Sequence, residues 1–333
     1  MKRVVITLLA LLMTGPAFAK DKISISVGSY NLNNLPFPLT ESLGHFKEQD
    51  LEVKTENFAA GGSKVLQALL AGSTDIAVGF YDHTIQMQAQ GKEVVAIALL
   101  ARNSGLVMAA GKDSAFDPAK PETIKGAKVG ITAPGSSSDF FVRYFLDRHG
   151  LPGNTAALVG VGSGASAVAA LEQKKVDLLV NYDPAATLIV DRGAGRIVID
   201  ARTDEGAREV YGGVYPTSTL YTTAEFIRKH PETVQKVVTA TVKTLKWMQA
   251  HSAEEIFARI PSNYVVGEKD SYIKAIINSK TLFSSDGRFV LEDLKTAANV
   301  LRAFNEKVEK TPIDLDKTYT NRFVDHALTQ VEN

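Results

Sequence analysis

Twice along this chain, strand-like runs alternate with helix-patterned segments across glycine-bearing turns, and that alternation limits the folds open to it more than any other feature. Ile23-Ser24-Ile25-Ser26-Val27 alternates strictly, as a strand does. An Asn- and Pro-rich stretch from Tyr30 to Pro38 follows, then a short helix holding Leu43 and Phe46, and a strand at Leu51-Glu52-Val53. Gly61-Gly62-Ser63 turns into a helix whose Val65, Leu66, Leu69 and Leu70 share one face, with Gly72 where a C-terminal glycine belongs. Residues 75–79 and 94–100 read as strands around a helix near 83–90.

Periodicity lapses between Gly111 and Lys128, where Pro118 and Pro121 sit among charged residues. A second unit then opens with Lys128-Val129-Gly130-Ile131-Thr132 and continues through strands at 157–161, 176–182 and 196–199. After a loop around 212–216, residues 218–222 look like a returning strand. The rest is helical, with Pro231 at a helix start and Val234, Val237, Val238, Val242, Leu245 and Met248 along one side. Leu294, Ala297, Ala298, Leu301, Phe304 and Val308 form a second stripe in a later helix. Two α/β units and a helical tail predict two lobes with a cleft between them, each a mostly parallel sheet flanked by helices. In such sheets ligands sit beyond the carboxyl ends of the strands, near helix N-termini.

The first residues set the expected compartment. Lys2 and Arg3 precede an apolar run from Val4 to Met13, and Pro16 leads into Ala17-Phe18-Ala19, a small-x-small cleavage pattern. At about ten residues the run is shorter than the ~20 needed to span a bilayer. It reads as a secretory signal over residues 1–19, removed after Ala19. With no Cys in the chain there is no lipid-anchor attachment, disulfide or thiolate metal site, so an unanchored periplasmic product is expected. Loss of Lys2 and Arg3 takes 37 cations and 37 anions to a net charge of −2, which gives no nucleic-acid footprint.

The loops after strands carry the candidate chemistry. Pro134-Gly135-Ser136-Ser137-Ser138-Asp139 follows the strand ending at Thr132, and Ser136 with Asp139 has the S-x-x-D spacing of a capped helix start. Its first turn offers N–H groups and three hydroxyls, an anion cradle unless Asp139 takes the helix dipole for itself. Gly61-Gly62-Ser63 repeats the arrangement in the first unit. Gly160-Val161-Gly162-Ser163-Gly164-Ala165 mimics a dinucleotide fingerprint, but an exported chain has little soluble nicotinamide to use, so the loop reads as a third helix start facing the cleft. Asn181-Tyr182-Asp183, Phe80-Tyr81-Asp82-His83, Arg102-Asn103 and Tyr215 stand at other strand ends or crossings and are further ligand candidates, their rings suited to a planar or apolar body. No Ser sits in G-x-S-x-G, the six His lack metal-site spacing, and neither a cofactor nor a metal is expected.

Taken together, Ala60 to Leu69 with Asp75-Ile76-Ala77, Ile124 to Gly130 through Pro134-Gly135-Ser136-Ser137, Ala170-Leu171-Glu172 with Val176-Asp177, and Lys229-His230-Pro231-Glu232 resemble the nitrate/sulfonate/taurine-type substrate-binding proteins of ABC importers. The resemblance implies the two-lobed type II periplasmic binding fold, with residues 20–107 and 217–333 in the first lobe and 108–216 in the second. It implies crossings near 105–112 and 213–218, and a ligand clasped by hinge closure. It adds the loop from Tyr30 onward, with Asn31 and Phe37, and supports Gly62, Ser63, Gly135 to Ser138 and Asn181 to Asp183 as contacts. The expected role is capture of a small organic anion, a sulfonate or aromatic carboxylate, by a monomer that delivers it to an inner-membrane permease without turnover. Alternatives are a pyrimidine or thiamine precursor, a nitrate-like anion, or a periplasmic hydrolase using Ser136–Ser138 with His83.

Overall fold

In the computed structural model, residues 21–58 and 61–331 are described; the signal and its cleavage after Ala19, like Ala60, lie outside them. Ten strands form two five-stranded sheets. The first contains β1 (Asp21–Val27), β2 (Leu51–Asn57), β3 (Ile76–Phe80), β4 (Val94–Leu99) and, from far along the chain, β10 (Ser218–Thr223) in the order β2-β1-β3-β10-β4. The second contains β5 (Val107–Gly111), β6 (Lys128–Ile131), β7 (Ala157–Gly160), β8 (Leu178–Asn181) and β9 (Gly195–Asp200) in the order β7-β6-β8-β5-β9.

The sheets share a plan. Each has parallel pairings on one side, β1 with β2 and β3, β6 with β7 and β8. In each, the fourth strand in order runs against its neighbours, β10 between β3 and β4, β5 between β8 and β9. That strand comes in both cases from chain that has just crossed from the other sheet: β5 follows β4, and β10 follows β9 after one helix. The sheets are therefore mixed, with four of five strands running one way, and two antiparallel strands seal the crossings. Strand β5 was not among those read from the sequence. Val107-Met108-Ala109-Ala110 is buried throughout, so it lacks the in–out alternation that marks a half-exposed strand.

Helices cover both faces, which is why β3 reads as an unbroken apolar run and is buried along its whole length. The helix Pro231–Ala250 buries Val234, Val237, Val238, Val242, Leu245 and Met248, the face its spacing predicts. The later stripe is split: its helix ends at Phe304, and Val308 belongs to the next short helix, whose first N–H groups are capped by the Asn305 side chain. Among the described residues no helix is long and apolar enough to cross a membrane.

One apolar cluster runs from Val65 and Phe80 on the first sheet's side through Val129 and Phe140 on the second's to Leu294 and Leu301 of the C-terminal helices. Phe304 packs 5.6 Å from Phe140, ring centre to ring centre, so the tail touches the second lobe as well as the first.

Candidate functional site

The carboxyl ends of the parallel strands of both sheets meet around one narrow, partly open cavity. From the first sheet come Gly28, Ser29, Asn31 and Asn34 after β1, Gly61 and Gly62 after β2, and Phe80 and His83 after β3. From the second come Thr132, Ser136 and Ser137 after β6 and Tyr182 after β8. The space is about 300 Å³ when all gaps between atoms are counted, yet the room free for whole molecules is about that of one water. Larger hollows, such as that between Lys112, Lys174 and Arg192, lie at the amino ends of the strands or on outer faces.

Two helix starts converge on the cavity, one from each sheet. The helix Gly62–Leu70 opens from Gly61, whose backbone (φ 82°, ψ 168°) is one that glycine alone adopts freely. The helix Ser137–Arg148 opens from Ser136. The S-x-x-D spacing predicts that Ser136 caps this helix, and here the structure differs. The Ser136 hydroxyl makes no capping bond and reaches across to the Ser63 hydroxyl at 3.2 Å. Asp139 bonds the Gly135 N–H (2.7 Å) and the Arg143 Nε (2.7 Å), so its charge is spent on its own loop and on an adjacent guanidinium.

Among the described residues, the lining includes no Lys, Arg, Asp or Glu. A negative group here would be met by hydroxyls, amides and the positive ends of two helix dipoles. Ser137 Oγ and His83 Nε2 are buried and have no hydrogen-bond partner. The His83 ring lies where a side chain at residue 62 would be, its Cε1 only 2.6 Å from that position, so Gly62 is required for the ring to fit. Burial lowers the His83 pKa, and neighbouring Asp82 offsets this only in part.

Behind His83 is a buried carboxylate. Asp82 Oδ2 accepts from Tyr215 Oη at 3.0 Å, while Oδ1 has no hydrogen-bond partner and stands 3.9 Å from His83 Nε2. Burial, with Asp82 nearby, raises the pKa of Tyr182, Tyr211, Tyr215 and Tyr221, so these phenols keep their protons.

A pH prediction follows from the two buried imidazoles. His83 and His45 both have folded-state pKa values lowered by burial from 6.5. The unfolded chain therefore takes up protons first as pH falls, and the stability these residues contribute at neutral pH is lost below about 6.5. Melting temperature is expected to fall from pH 7 to pH 5, with a shallower slope in His83→Asn; equal slopes would contradict the assignment to His83.

Of the residues singled out by sequence, Asn31, Gly62, Phe80, Ser136, Ser137 and Tyr182 line the cavity. Ser63 and Gly135 stand beside it, and Ser138 is turned into the wall, bonded to the Thr132 N–H and hydroxyl. The others have different surroundings. Tyr30 packs on Tyr264 and Phe37 on Phe46. Tyr81 points to Thr318 and Phe289. Arg102 and Asn103 bind Asp204, and Asn181 bonds the Gly162 carbonyl. Asp183 bonds Thr187, Arg202 and Ser279, while Asp82 and Tyr215 bond each other. The Gly160–Ala165 loop is absent from the cavity wall; Gly164 lies against Val266 instead. Residues not singled out as contacts are Gly28, Ser29, Asn34, Gly61, Val78, Gly79 and Thr132, whereas His83, the last residue of the Phe80–His83 stretch, also lines the cavity. Most follow strands directly, a positional signal, but Val78 and Gly79 carry no chemical mark.

Comparison with known proteins bears on the family and the fold. Residues 31–255 match the family described as NMT1/THI5 like. A solved structure from Bordetella bronchiseptica RB50 has 35% sequence identity and a TM-score of 0.88, over 94% of this chain and 98% of that one. The periplasmic nitrate-binding protein NrtA from Synechocystis PCC 6803 gives a TM-score of 0.74 at 15% identity, over 93% and 89%. The alkanesulfonate-binding protein SsuA from Xanthomonas axonopodis pv. citri, bound to MOPS, gives 0.70 at 14%, over 92% and 97%. The last two show a shared fold, that of periplasmic binding proteins.

Proposed function

The chain belongs to the NMT1/THI5-like family, and from that premise we propose that it is the periplasmic substrate-binding component of an ABC importer. The ligand is a small organic anion, a sulfonate or aromatic carboxylate, clasped between the lobes and released to an inner-membrane permease by a monomer that does not transform it. One observation carries this reading: helix starts from two different sheets meet at a cavity lined by Ser137, whose hydroxyl is buried and without a hydrogen-bond partner. The acidic group would sit among Gly62, Ser136 and Ser137, and the body against Phe80 and Tyr182, whose rings meet edge to face at 5.4 Å. Names of proteins that share the fold, for nitrate and for an alkanesulfonate, support an anion.

The lobes must part to admit any ligand larger than water, which makes hinge closure part of the reading. The tightness of the cavity favours a nitrate-like anion as the second reading. The hydrolase reading has less support, because the hydroxyls of Ser136 and Ser138 are bonded to Ser63 and Thr132 rather than to His83.

A thermal-shift screen of the mature protein against sulfonates, aromatic and aliphatic carboxylates, nitrate and pyrimidines tests this. A ligand at ~100 times its Kd adds about 2.7 kcal/mol, which raises the melting temperature by several degrees. Stabilisation by an organic anion is expected. A response to pyrimidines alone would overturn the ligand class, and ester hydrolysis lost on Ser137→Ala would overturn the binding role.

A further inference from the structure

The helix Lys269–Ser279 has two working faces. One is apolar and belongs to the first lobe, where Tyr272, Ala275 and Ile276 are packed with Leu32, Leu35 and Leu39 of the segment after β1. The other is polar and lies on the second lobe, against the helix Ala185–Asp191 that follows β8. Lys274 Nζ is 2.6 Å from Asp191 Oδ1, and Ser271 Oγ donates to Asp191 Oδ2 at 2.8 Å. At the far end Ser279 Oγ donates to Asp183 Oδ2 at 3.2 Å, with both residues 1% exposed. The approach is close elsewhere too: a side chain at Gly267 would stand 2.5 Å from Leu188.

Asp183 is the centre of this contact. Its carboxylate also takes the Thr187 N–H and hydroxyl and the Arg202 guanidinium, and its carbonyl accepts the Leu32 N–H at 2.9 Å. Leu32 is itself in the apolar cluster that holds the helix. A residue that sequence reasoning offers as a ligand contact thus has its acceptors engaged by the opposite lobe and by its own. None of Lys274, Asp191, Ser279 or Asp183 lines the cavity.

We propose that the helix Lys269–Ser279 is a strap, rooted in the first lobe and fastened to Asp183 and Asp191 of the second, that holds the cleft closed independently of the ligand. The proposal rests on the reading that the lobes part to admit one. It gives closure two separable components, contacts around the cavity and contacts on the strap. Ligand affinity can then be changed from residues that never touch the ligand, because any bias toward the closed state enters the apparent Kd.

Since the chain has no Cys, spin labels at Lys54→Cys and Lys125→Cys, exposed residues of the first and second lobes, report the separation of the lobes without background. The ligand-free protein is measured. Wild type is expected to populate the short separation, and Ser279→Ala combined with Lys274→Glu to raise the open-to-closed ratio about tenfold. Lys274→Glu alone is exposed enough to leave folding intact; its smaller shift is expected to be reversed by adding Asp191→Lys, a rescue that a general loss of packing would not show. Identical distributions in wild type and variants with matching circular dichroism would overturn the strap, as would a wild-type population centred on the long separation. Ethanesulfonate is added in a second step. Failure of any distribution to respond counts against the sulfonate reading, whereas the strap is judged on the ligand-free data.

Discussion

Replacing Gly61 by alanine is expected to weaken ligand binding by about tenfold to a hundredfold while both lobes stay folded. The residue faces the second sheet across the cleft: a Cβ on it would stand 2.7 Å from Ser136 Oγ and 3.0 Å from Thr132 Oγ1, both on that sheet's side. Its φ of +82° with ψ 168° adds a backbone cost of about 1–3 kcal/mol for any other residue. That cost falls on the loop whether the cleft is open or closed, but the clash exists only when the lobes meet. The change therefore acts selectively on the closed state, and so on affinity. Titration calorimetry of the variant beside wild type reads the loss, and thermal melting separates it from unfolding. Unchanged affinity would mean that ligand is held without this closure.

Tyr215→Phe is expected to cost about 2–3 kcal/mol of stability, because it removes the one hydrogen bond that, among the described residues, reaches the fully buried Asp82 side chain. Asp82 is 0% exposed, and the nearest cation-forming group, His83, is kept neutral by its own burial. The lost hydroxyl leaves little cavity, since the Tyr215 ring stays stacked 4.3 Å from Tyr211, so the effect belongs to the lost hydrogen bond. Melting temperature should fall by about 3–5 °C in a chain of this length. A fall below about 1 °C would show that Asp82 draws its stabilisation from elsewhere.

Much of the fold was legible because its strands are short apolar runs between glycine-marked turns. β3, β4 and β10 fall where Asp75–Gly79, Val94–Leu100 and Ser218–Thr222 predict them, to within a residue or two. β5 was hidden: buried on both faces and adjoining the aperiodic stretch after Gly111, it offers neither alternation nor a helical stripe. The site was legible as loops and not as side chains. Strand ends named turns that border the cavity, but a residue one step along a turn points elsewhere. Phe80 and Tyr182 line the cavity while their neighbours Tyr81 and Asp183 bond within the walls. Polar residues at strand ends also serve closure and the crossings, as Arg102 and Asn103 do on Asp204, and local sequence gives both kinds the same signature. The place of His83 on the wall depends on Gly62, distant in sequence, leaving room for its ring.

The central claim is that a small organic anion is held, unchanged, between the two sheets at Ser137. Titration calorimetry of the mature protein and Ser137→Ala, using whichever anion the thermal screen selects, tests it most directly. The account predicts one ligand per chain, full recovery of unaltered ligand, and affinity about ten to a hundred times weaker in the variant, as expected when a buried hydrogen bond to a charged group is lost. Equal affinity for wild type and variant, or ligand recovered as a product, would contradict it.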